Sequence, residues 1–189
     1  MAVLPIYNSF HPVLKEKSVR IEAIDERISR LIDDMFETLH NVSNGVGLAS
    51  NQVGATDRVV VIDLSVDEDL PQRPPIVMIN PEIVEFSEYE EEDPEGCLSV
   101  PGIFEKVSRP EAIKVKYFDR NMNEVVENVS GFLARVMQHE IDHLNGILFY
   151  EKVTPLRRTL LKSKLKKIKR GDIEADYPMV NADNTSYTP

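Results

Sequence analysis

The chain has 189 residues, of which 42% are hydrophobic and 29% charged, and its formal net charge is −10. This length suits one domain with a core of its own, and the acidic balance excludes a general affinity for nucleic acid, DNA included. A single cysteine excludes an internal disulfide and is typical of a reducing compartment. No signal peptide is recognisable, and no apolar run approaches the roughly 20 residues of a membrane span. We therefore expect a soluble, cytoplasmic protein without a membrane partner.

The first predicted helix follows an irregular, extended stretch at 1–22. Apolar residues recur every three or four positions from Ile24 to Leu39, and charged residues occupy the other face. The helix should end near Asn44 and Gly45, because glycine permits a left-handed turn.

The segment 45–52 (GVGLASNQ) contains two closely spaced glycines, which let a backbone approach a ligand or another strand. It lacks the glycine spacing of a phosphate-binding loop. Taken alone, the segment is best interpreted as a glycine-rich packing turn.

The middle of the chain predicts strands. Segments 58–64 (RVVVIDL) and 76–80 (IVMIN) are rich in β-branched residues, and 83–86 can extend the second. Residues 112–118 (AIKVKYF) alternate like a half-buried strand, which 124–129 can pair with across a turn.

An acidic run precedes the only cysteine. Seven of the eleven residues from 85 to 95 are acidic, which is typical of a solvated face or loop. Cys97 follows in the apolar segment 95–102 (EGCLSVPG). A lone buried cysteine usually packs as a small hydrophobic residue.

The motif HExxH occupies 139–143, in a segment with helical spacing of its apolar residues. Residues four apart on a helix lie above one another, so His139 and His143 present two imidazoles to one point. Imidazole binds zinc or ferrous iron, and Glu140 can act as general base on a metal-bound water. The alternative is a chance motif whose histidines only form hydrogen bonds, and a third ligand has to decide between the two.

Cys97 is the candidate third ligand. Two histidines and a thiolate are a known ligand set for catalytic zinc, and a thiolate also suits ferrous iron. A zinc ribbon built from C-x-x-C pairs is excluded, because the partner cysteines are missing.

Three motifs together closely resemble the signatures of bacterial peptide deformylase: GVGLASNQ at 45–52, EGCLS at 95–99 and QHEIDH at 138–143. They occur in the family's order, and the resemblance covers roughly residues 1–170. It implies an α+β fold in which antiparallel strands wrap around a central metal-binding HExxH helix, with an N-terminal and a C-terminal helix. We expect one catalytic domain over residues 1–170 and a flexible tail at 171–189 with little to bury.

The same resemblance implies a metal-dependent hydrolase that removes the N-formyl group from the initiator methionine of nascent polypeptides and releases formate. It assigns one divalent metal ion to Cys97, His139 and His143. In this family the ion is usually Fe2+, and Zn2+, Ni2+ or Co2+ can take its place. Glu140 is the implied general acid/base for a metal-bound hydroxide that attacks the formyl carbon.

The resemblance also implies an oxyanion hole and a substrate slot. The oxyanion hole is assigned to the side-chain amide of Gln52 and the backbone N–H of Leu98. The residues expected to contact the substrate are Val46, Gly47, Gly102, Phe132 and Val136. For Phe132 and Val136, a place in the core is an equally good interpretation.

The segment 156–170 carries eight basic residues and no acidic one. It can be a solvated face that balances the acidic body, or it can dock on ribosomal RNA, as the resemblance to the family's C-terminal helix implies. Phosphate contacts would make such docking fall steeply with salt.

Two rival functions remain. A zincin protease also uses HExxH, but its third ligand normally lies downstream, where this chain has no histidine and only Glu151 and Glu174. A non-catalytic binding module with a closed structural metal is the second rival, and it leaves Glu140 and Gln52 without a purpose.

Overall fold

A computed structural model describes residues 1–43, 45–65, 73–172 and 174–189. Its α-helices are α1 (Glu26–His40), α2 (Gly131–Leu144) and α3 (Pro155–Lys169), and short 3-10 helices cover Pro12–Lys15, Ser50–Val53 and Phe149–Glu151. In this part of the chain, none of the helices combines the length and the apolarity needed to cross a membrane.

The strands form three sheets. The strands are β1 (Ile6–Tyr7), β2 (Gly47–Ala49), β3 (Val59–Ile62), β4 (Ile76–Phe86), β5 (Glu90–Glu95), β6 (Glu105–Pro110), β7 (Ala112–Phe118), β8 (Glu124–Ser130), β9 (Met179–Val180) and β10 (Ser186–Tyr187). The largest sheet is antiparallel and has the order β2-β3-β4-β7-β8. Strands β5 and β6 pair with each other, and β1, β9 and β10 form the third sheet.

The large sheet is covered by α2 on one face and by α1 on the other. The residues of β3 show how both faces are buried. Its four residues are all fully buried. Val60 and Ile62 pack in the cluster that contains α2, whereas Val59 and Val61 pack in the cluster that contains α1. Because side chains alternate across a strand, a continuous apolar run fits a strand with both faces covered. Burying each such side chain contributes about 1.5–3 kcal/mol to stability.

The predicted helices and strands are confirmed. Their ends lie within two residues of the observed ones, except that α1 ends four residues before the predicted Asn44. Helix α1 is capped by Asp25, whose carboxylate accepts the Ile28 N–H at 2.8 Å. It ends at His40, and the predicted end residue Asn44 lies outside the described residues. The α+β fold, with strands around the HExxH helix and a helix near each terminus, is also confirmed.

The acidic run at 85–95 is solvated, as predicted, but it is not a loop. Strand β5 pairs with β6 along its whole length, from Glu90 opposite Pro110 to Glu95 opposite Glu105. Arg135 of α2 bridges strands β5 and β6. Its guanidinium donates to the carbonyls of Glu91 at 2.7 Å and Val107 at 2.9 Å. Only Glu95 of the strand is buried.

The expectation that residues 171–189 bury little is wrong. Strand β9 pairs in parallel with β1, with Ile6 opposite Met179 and Tyr7 opposite Val180. Tyr177, Met179 and Val180 are all buried. Strands of two residues are too short to show a periodic pattern, and the partner of β9 lies at the other end of the chain. The first stretch, 1–22, is likewise not wholly irregular, since it contains β1 and a 3-10 helix.

Candidate metal centre and active site

Helix α2 places two imidazoles beside the only cysteine. The Nε2 atoms of His139 and His143 are 3.2 Å apart, and Cys97 Sγ lies 3.2 Å from His143 Nε2. All three candidate ligand atoms lie within 4.8 Å of one another. A tetrahedral cation with bonds of about 2.0–2.3 Å holds its ligands roughly 3.3–3.8 Å apart, so small adjustments fit this group to such an ion. One thiolate and two imidazoles suit zinc or ferrous iron and leave a fourth position open.

The first histidine is oriented by a buried carboxylate. His139 Nδ1 lies 3.0 Å from Glu95 Oε2. A carboxylate at that nitrogen fixes the proton on Nδ1 and directs the Nε2 lone pair towards the metal position. Burial alone would raise the pKa of Glu95, but hydrogen bonds with His139 and Arg109 hold that pKa well below its usual range. Glu95 is therefore a stable anion beside the ligand.

Proton release accompanies metal binding at this group. Burial lowers the pKa of His139, but interactions with Cys97 and Glu95 outweigh it and raise the pKa to about 10. In the metal-free protein the imidazole is therefore protonated at neutral pH. A cation has to displace that proton, so metal affinity falls as the pH is lowered.

A buried arginine holds Glu95 in turn. Arg109 is only 2% exposed and binds both Glu95 oxygens, through Nε at 2.5 Å and Nη2 at 2.9 Å. Its Nη1 donates to Asp142 at 2.7 Å, and Arg135 Nη1 donates to Glu95 at 2.7 Å. This network is not predicted from the sequence. One signal was present: Arg135 and His139 are four residues apart, so they lie on the same face of α2.

Glu140 lies in the environment that a proton-transfer group needs. Its side chain is buried, and its Oε2 has no hydrogen-bond partner among the described residues. Burial raises the pKa of Glu140 to about 7, against the lowering effect of His139 and Arg109. A carboxyl group with a pKa near neutrality can both accept and return a proton at physiological pH.

Gly47 lets the backbone of β2 approach this carboxylate. A Cβ at position 47 would lie 2.9 Å from Glu140 Oε1 and 3.0 Å from Val136 Cγ1. These distances are shorter than ordinary carbon contacts, so a side chain would displace Glu140. The segment 45–52 thus contains a paired strand, Gly47–Ala49, that closely approaches α2, and it is not only a turn.

Gln52 points its amide nitrogen into the site. The Gln52 Oε1 accepts the backbone N–H of Ala49 at 2.9 Å, which fixes the orientation of the amide. The Nε2 then lies 3.6 Å from Cys97 Sγ and 3.4 Å from Ser99 Oγ. The Leu98 N–H has no acceptor within the described ranges, whereas the Leu98 carbonyl accepts the hydroxyl of Tyr177 at 2.8 Å.

These groups open onto a cavity of about 650 Å³. All five predicted substrate contacts line it: Val46, Gly47, Gly102, Phe132 and Val136. Cys97, His139 and Glu140 also line the cavity, which places two of the three candidate ligands at its wall. Val136 is buried and Phe132 is 44% exposed. Other lining residues, above all Phe104 and Tyr177, are not predicted from the sequence.

Comparisons with known proteins agree on one family. The family model described as polypeptide deformylase matches residues 3–159. The chain is 44% identical over 190 residues to a peptide deformylase of Salinibacter ruber, covering 96% of each sequence. It is 46% identical over 169 residues to one from Zymomonas mobilis, covering 88% of this chain and 95% of that one. A crystal structure of peptide deformylase from Ehrlichia chaffeensis superposes with a TM-score of 0.80 at 40% identity, over 90% of this chain and 99% of that chain.

Proposed function

The chain belongs to the peptide deformylase family, and on that basis we propose that it deformylates the initiator methionine of nascent polypeptides. Enzymes of this family are metal-dependent and remove the formyl group from N-formyl-methionine peptides. The observation that supports the proposal best is the group of Cys97, His139 and His143, because Cys97 and His139 line the same cavity as Glu140. The proposed substrate is a nascent chain, so we place the reaction in the cytoplasm.

Cys97, His139 and His143 are the proposed ligands of one divalent ion. We propose Fe2+ as the ion used in the cell, with Zn2+, Ni2+ or Co2+ as possible replacements, since thiolate and imidazole bind all four. When bound, the ion supplies a water of lowered pKa as the nucleophile and polarises the formyl oxygen.

The protein groups then carry the proton and the developing charge. Glu140 accepts a proton from the attacking water and returns it to the leaving nitrogen, so that one water and one formamide give formate and a free amine. Gln52 Nε2 and the Leu98 N–H donate to the oxyanion that forms on the formyl carbon. The fixed orientation of the Gln52 amide supports this assignment, because the donor needs no reorganisation during the reaction.

The proposed substrate contacts follow from the cavity. The backbone of Val46, Gly47 and Gly102 holds the peptide extended, and Phe132 and Val136 provide apolar surface for the methionine side chain. Glycine at position 47 keeps the backbone of β2 close to Glu140, since a Cβ there would lie 2.9 Å from Glu140 Oε1. A formyl carbon bears only hydrogen, so it fits where a larger acyl group is excluded.

Formate release is the direct test of this function. The anaerobically purified protein should release formate from a formyl-Met peptide, with about one divalent ion per chain in the same sample. The variant Cys97→Ala should lose both the ion and the activity. An acetyl-Met peptide serves as the control substrate. No formate from metal-loaded protein would reject the proposal, and cleavage of an unformylated peptide would favour the protease alternative.

Removing the Gln52 amide should slow the chemical step. We expect Gln52→Ala to lower kcat by about 10²–10³ with little change in KM, which is the usual cost of losing one oxyanion donor. Gln138→Ala is a matched control, because the Gln138 amide is also buried but donates to the carbonyls of Pro110 and Ala134. Steady-state kinetics on the formyl-Met peptide decide the point. Equal effects of the two substitutions on kcat would contradict an oxyanion function for Gln52.

We also propose that α3 docks on ribosomal RNA. Leu161, Leu165 and Ile168 of α3 face the core, so its lysines are left on the solvent side. Reversing the charge of Lys164 and Lys167, both exposed, should weaken co-sedimentation with ribosomes and flatten its salt dependence. Deformylation of a free peptide should be unchanged in the same variant. Undiminished ribosome binding at low salt would reject the docking proposal.

A further inference from the structure

The C-terminal segment, residues 174–189, reaches the candidate active site although the proposed reaction assigns nothing to it. Residues 174–177 line the same cavity as Cys97 and Glu140. The match to the family model ends at residue 159, well before this segment. We propose that Tyr177 is a positioning residue, whose hydroxyl holds Leu98 so that the Leu98 N–H faces the reacting carbonyl. This inference rests on the proposed function.

The contact between Tyr177 and Leu98 is short and sheltered. The Tyr177 hydroxyl donates to the Leu98 carbonyl oxygen at 2.8 Å, and the Tyr177 side chain is only 6% exposed. Burial raises the pKa of Tyr177, so the phenol keeps its proton and remains a donor. The Leu98 carbonyl and the Leu98 N–H flank the same Cα, so fixing the carbonyl restricts the orientation of the N–H.

The loop that carries the proposed oxyanion donor is anchored on both sides of the Leu98 Cα. The Cys97 carbonyl belongs to the same peptide unit as the Leu98 N–H, and the Tyr177 hydroxyl holds the following peptide unit. The Val100 N–H donates to the Cys97 carbonyl at 2.8 Å, and the Ser9 N–H donates to the Ser99 carbonyl at 2.9 Å. The Tyr177 hydroxyl is the side-chain donor that reaches Leu98 itself among the described residues. Its removal should therefore affect Leu98 more than the rest of the loop.

Tyr177 can act as an anchor because its own backbone is fixed. The next residue, Pro178, accepts the Ile6 N–H through its carbonyl at 2.8 Å, and the Asn8 N–H donates to Val180 at 2.8 Å. On the other side of Tyr177, Asp176 accepts a hydrogen bond from the hydroxyl of Ser43. The phenol is thus held between two attachments to other parts of the fold.

The test compares two hydroxyls of the same segment. Tyr177→Phe removes the contact with Leu98, whereas Tyr187→Phe removes a hydroxyl that donates to the Ala175 carbonyl at 3.0 Å, within the segment. We expect Tyr177→Phe to lower kcat about tenfold, the scale of one hydrogen bond, with KM and metal content unchanged. The Val100 amide, which closes the loop on Cys97, should exchange faster with deuterium. Tyr187→Phe should match the wild type in both measurements.

The two readouts separate failure of this inference from failure of the proposed function. Wild-type kcat and wild-type Val100 exchange in Tyr177→Phe would overturn the inference. So would equal losses in both tyrosine variants, because the hydroxyls would then only stabilise the segment. If the wild type releases no formate, the proposed function fails, and the inference that Tyr177 positions an oxyanion donor fails with it. With an active wild type, faster Val100 exchange and lower kcat confined to Tyr177→Phe support it.

Discussion

Replacing Glu140 with glutamine is expected to lower kcat for deformylation by about 10²–10⁴, the usual contribution of a positioned general acid/base. Glutamine keeps the shape of the side chain beside Gly47 but can neither take nor return the proton. The proposed ligand atoms of Cys97, His139 and His143 are untouched, so the metal content should remain at the wild-type level. Steady-state kinetics with metal analysis on the same sample measure both quantities. Glu124→Gln, an exposed carboxylate on β8, is the control and should be fully active.

The pH dependence should change in the same variant. Burial raises the pKa of Glu140 to about 7, and a bound cation nearby lowers it again, so the wild-type kcat/KM should rise with pH along a limb at or below pH 7. Glu140→Gln should lack this limb. Wild-type activity in Glu140→Gln, or an unchanged limb in its pH profile, would remove Glu140 from the mechanism.

Whereas Glu140→Gln should lower the activity, it should raise the free energy of unfolding of the metal-free protein above pH 7. A pKa that is raised in the folded state stabilises the protein below the unfolded value, and this stabilisation is lost as the pH rises through the folded value. The ordinary pKa of a glutamate is 4.5, and the pKa of Glu140 in the folded protein is about 7. Metal-free Glu140→Gln should therefore unfold like the wild type near pH 4 and be more stable than the wild type at pH 8.

Replacing Arg109 with leucine is expected to lower the free energy of unfolding by about 3–5 kcal/mol, because it leaves buried carboxylates without their partner. Glu95 would lose two hydrogen bonds and Asp142 one. Since Glu95 orients His139, metal affinity should also fall, by about 10–100-fold for a lost outer partner of this kind. Urea unfolding and metal competition measure the two effects separately.

Arg27→Leu is the matched control for this prediction. Arg27 also makes a two-bond contact with a carboxylate, Asp57, at 2.7 and 2.9 Å, but its side chain is 64% exposed. An exposed pair contributes about 0–1 kcal/mol, so this variant should differ little from the wild type. Similar losses in the two arginine variants would show that burial does not set the strength of the Arg109 contact.

The sequence predicts that the proposed metal ligands come together, because their arrangement is local or unique. His139, Glu140 and His143 lie on one helix whose spacing is visible in the chain, and Cys97 is the only cysteine available. The pairing of β5 with β6 is not predicted, because the acidic residues of β5 hide a strand that has one buried residue. The contacts of Glu95 with Arg109 and Arg135 depend on how distant elements pack, which no periodicity records.

The order and burial of the C-terminal segment are not predicted, for a related reason. Its strands have two residues each, and its buried residues, such as Tyr177, stand among polar ones. Short polar segments of this kind normally indicate disorder. Here the segment is stabilised by pairing with β1, a strand at the other end of the chain, and it is therefore ordered. Its involvement with Leu98 can be inferred only from the fold.

The pairing of β1 with β9 has a consequence for synthesis of the protein. Its register joins residue 6 to residue 179. At about 5–20 residues per second, translation separates the emergence of these strands by roughly 10–30 s. Until then β1 has no partner from β9, and an unpaired strand edge invites association with other chains. The wall of the cavity that Tyr177 belongs to is therefore the last part of the site to be built on the ribosome.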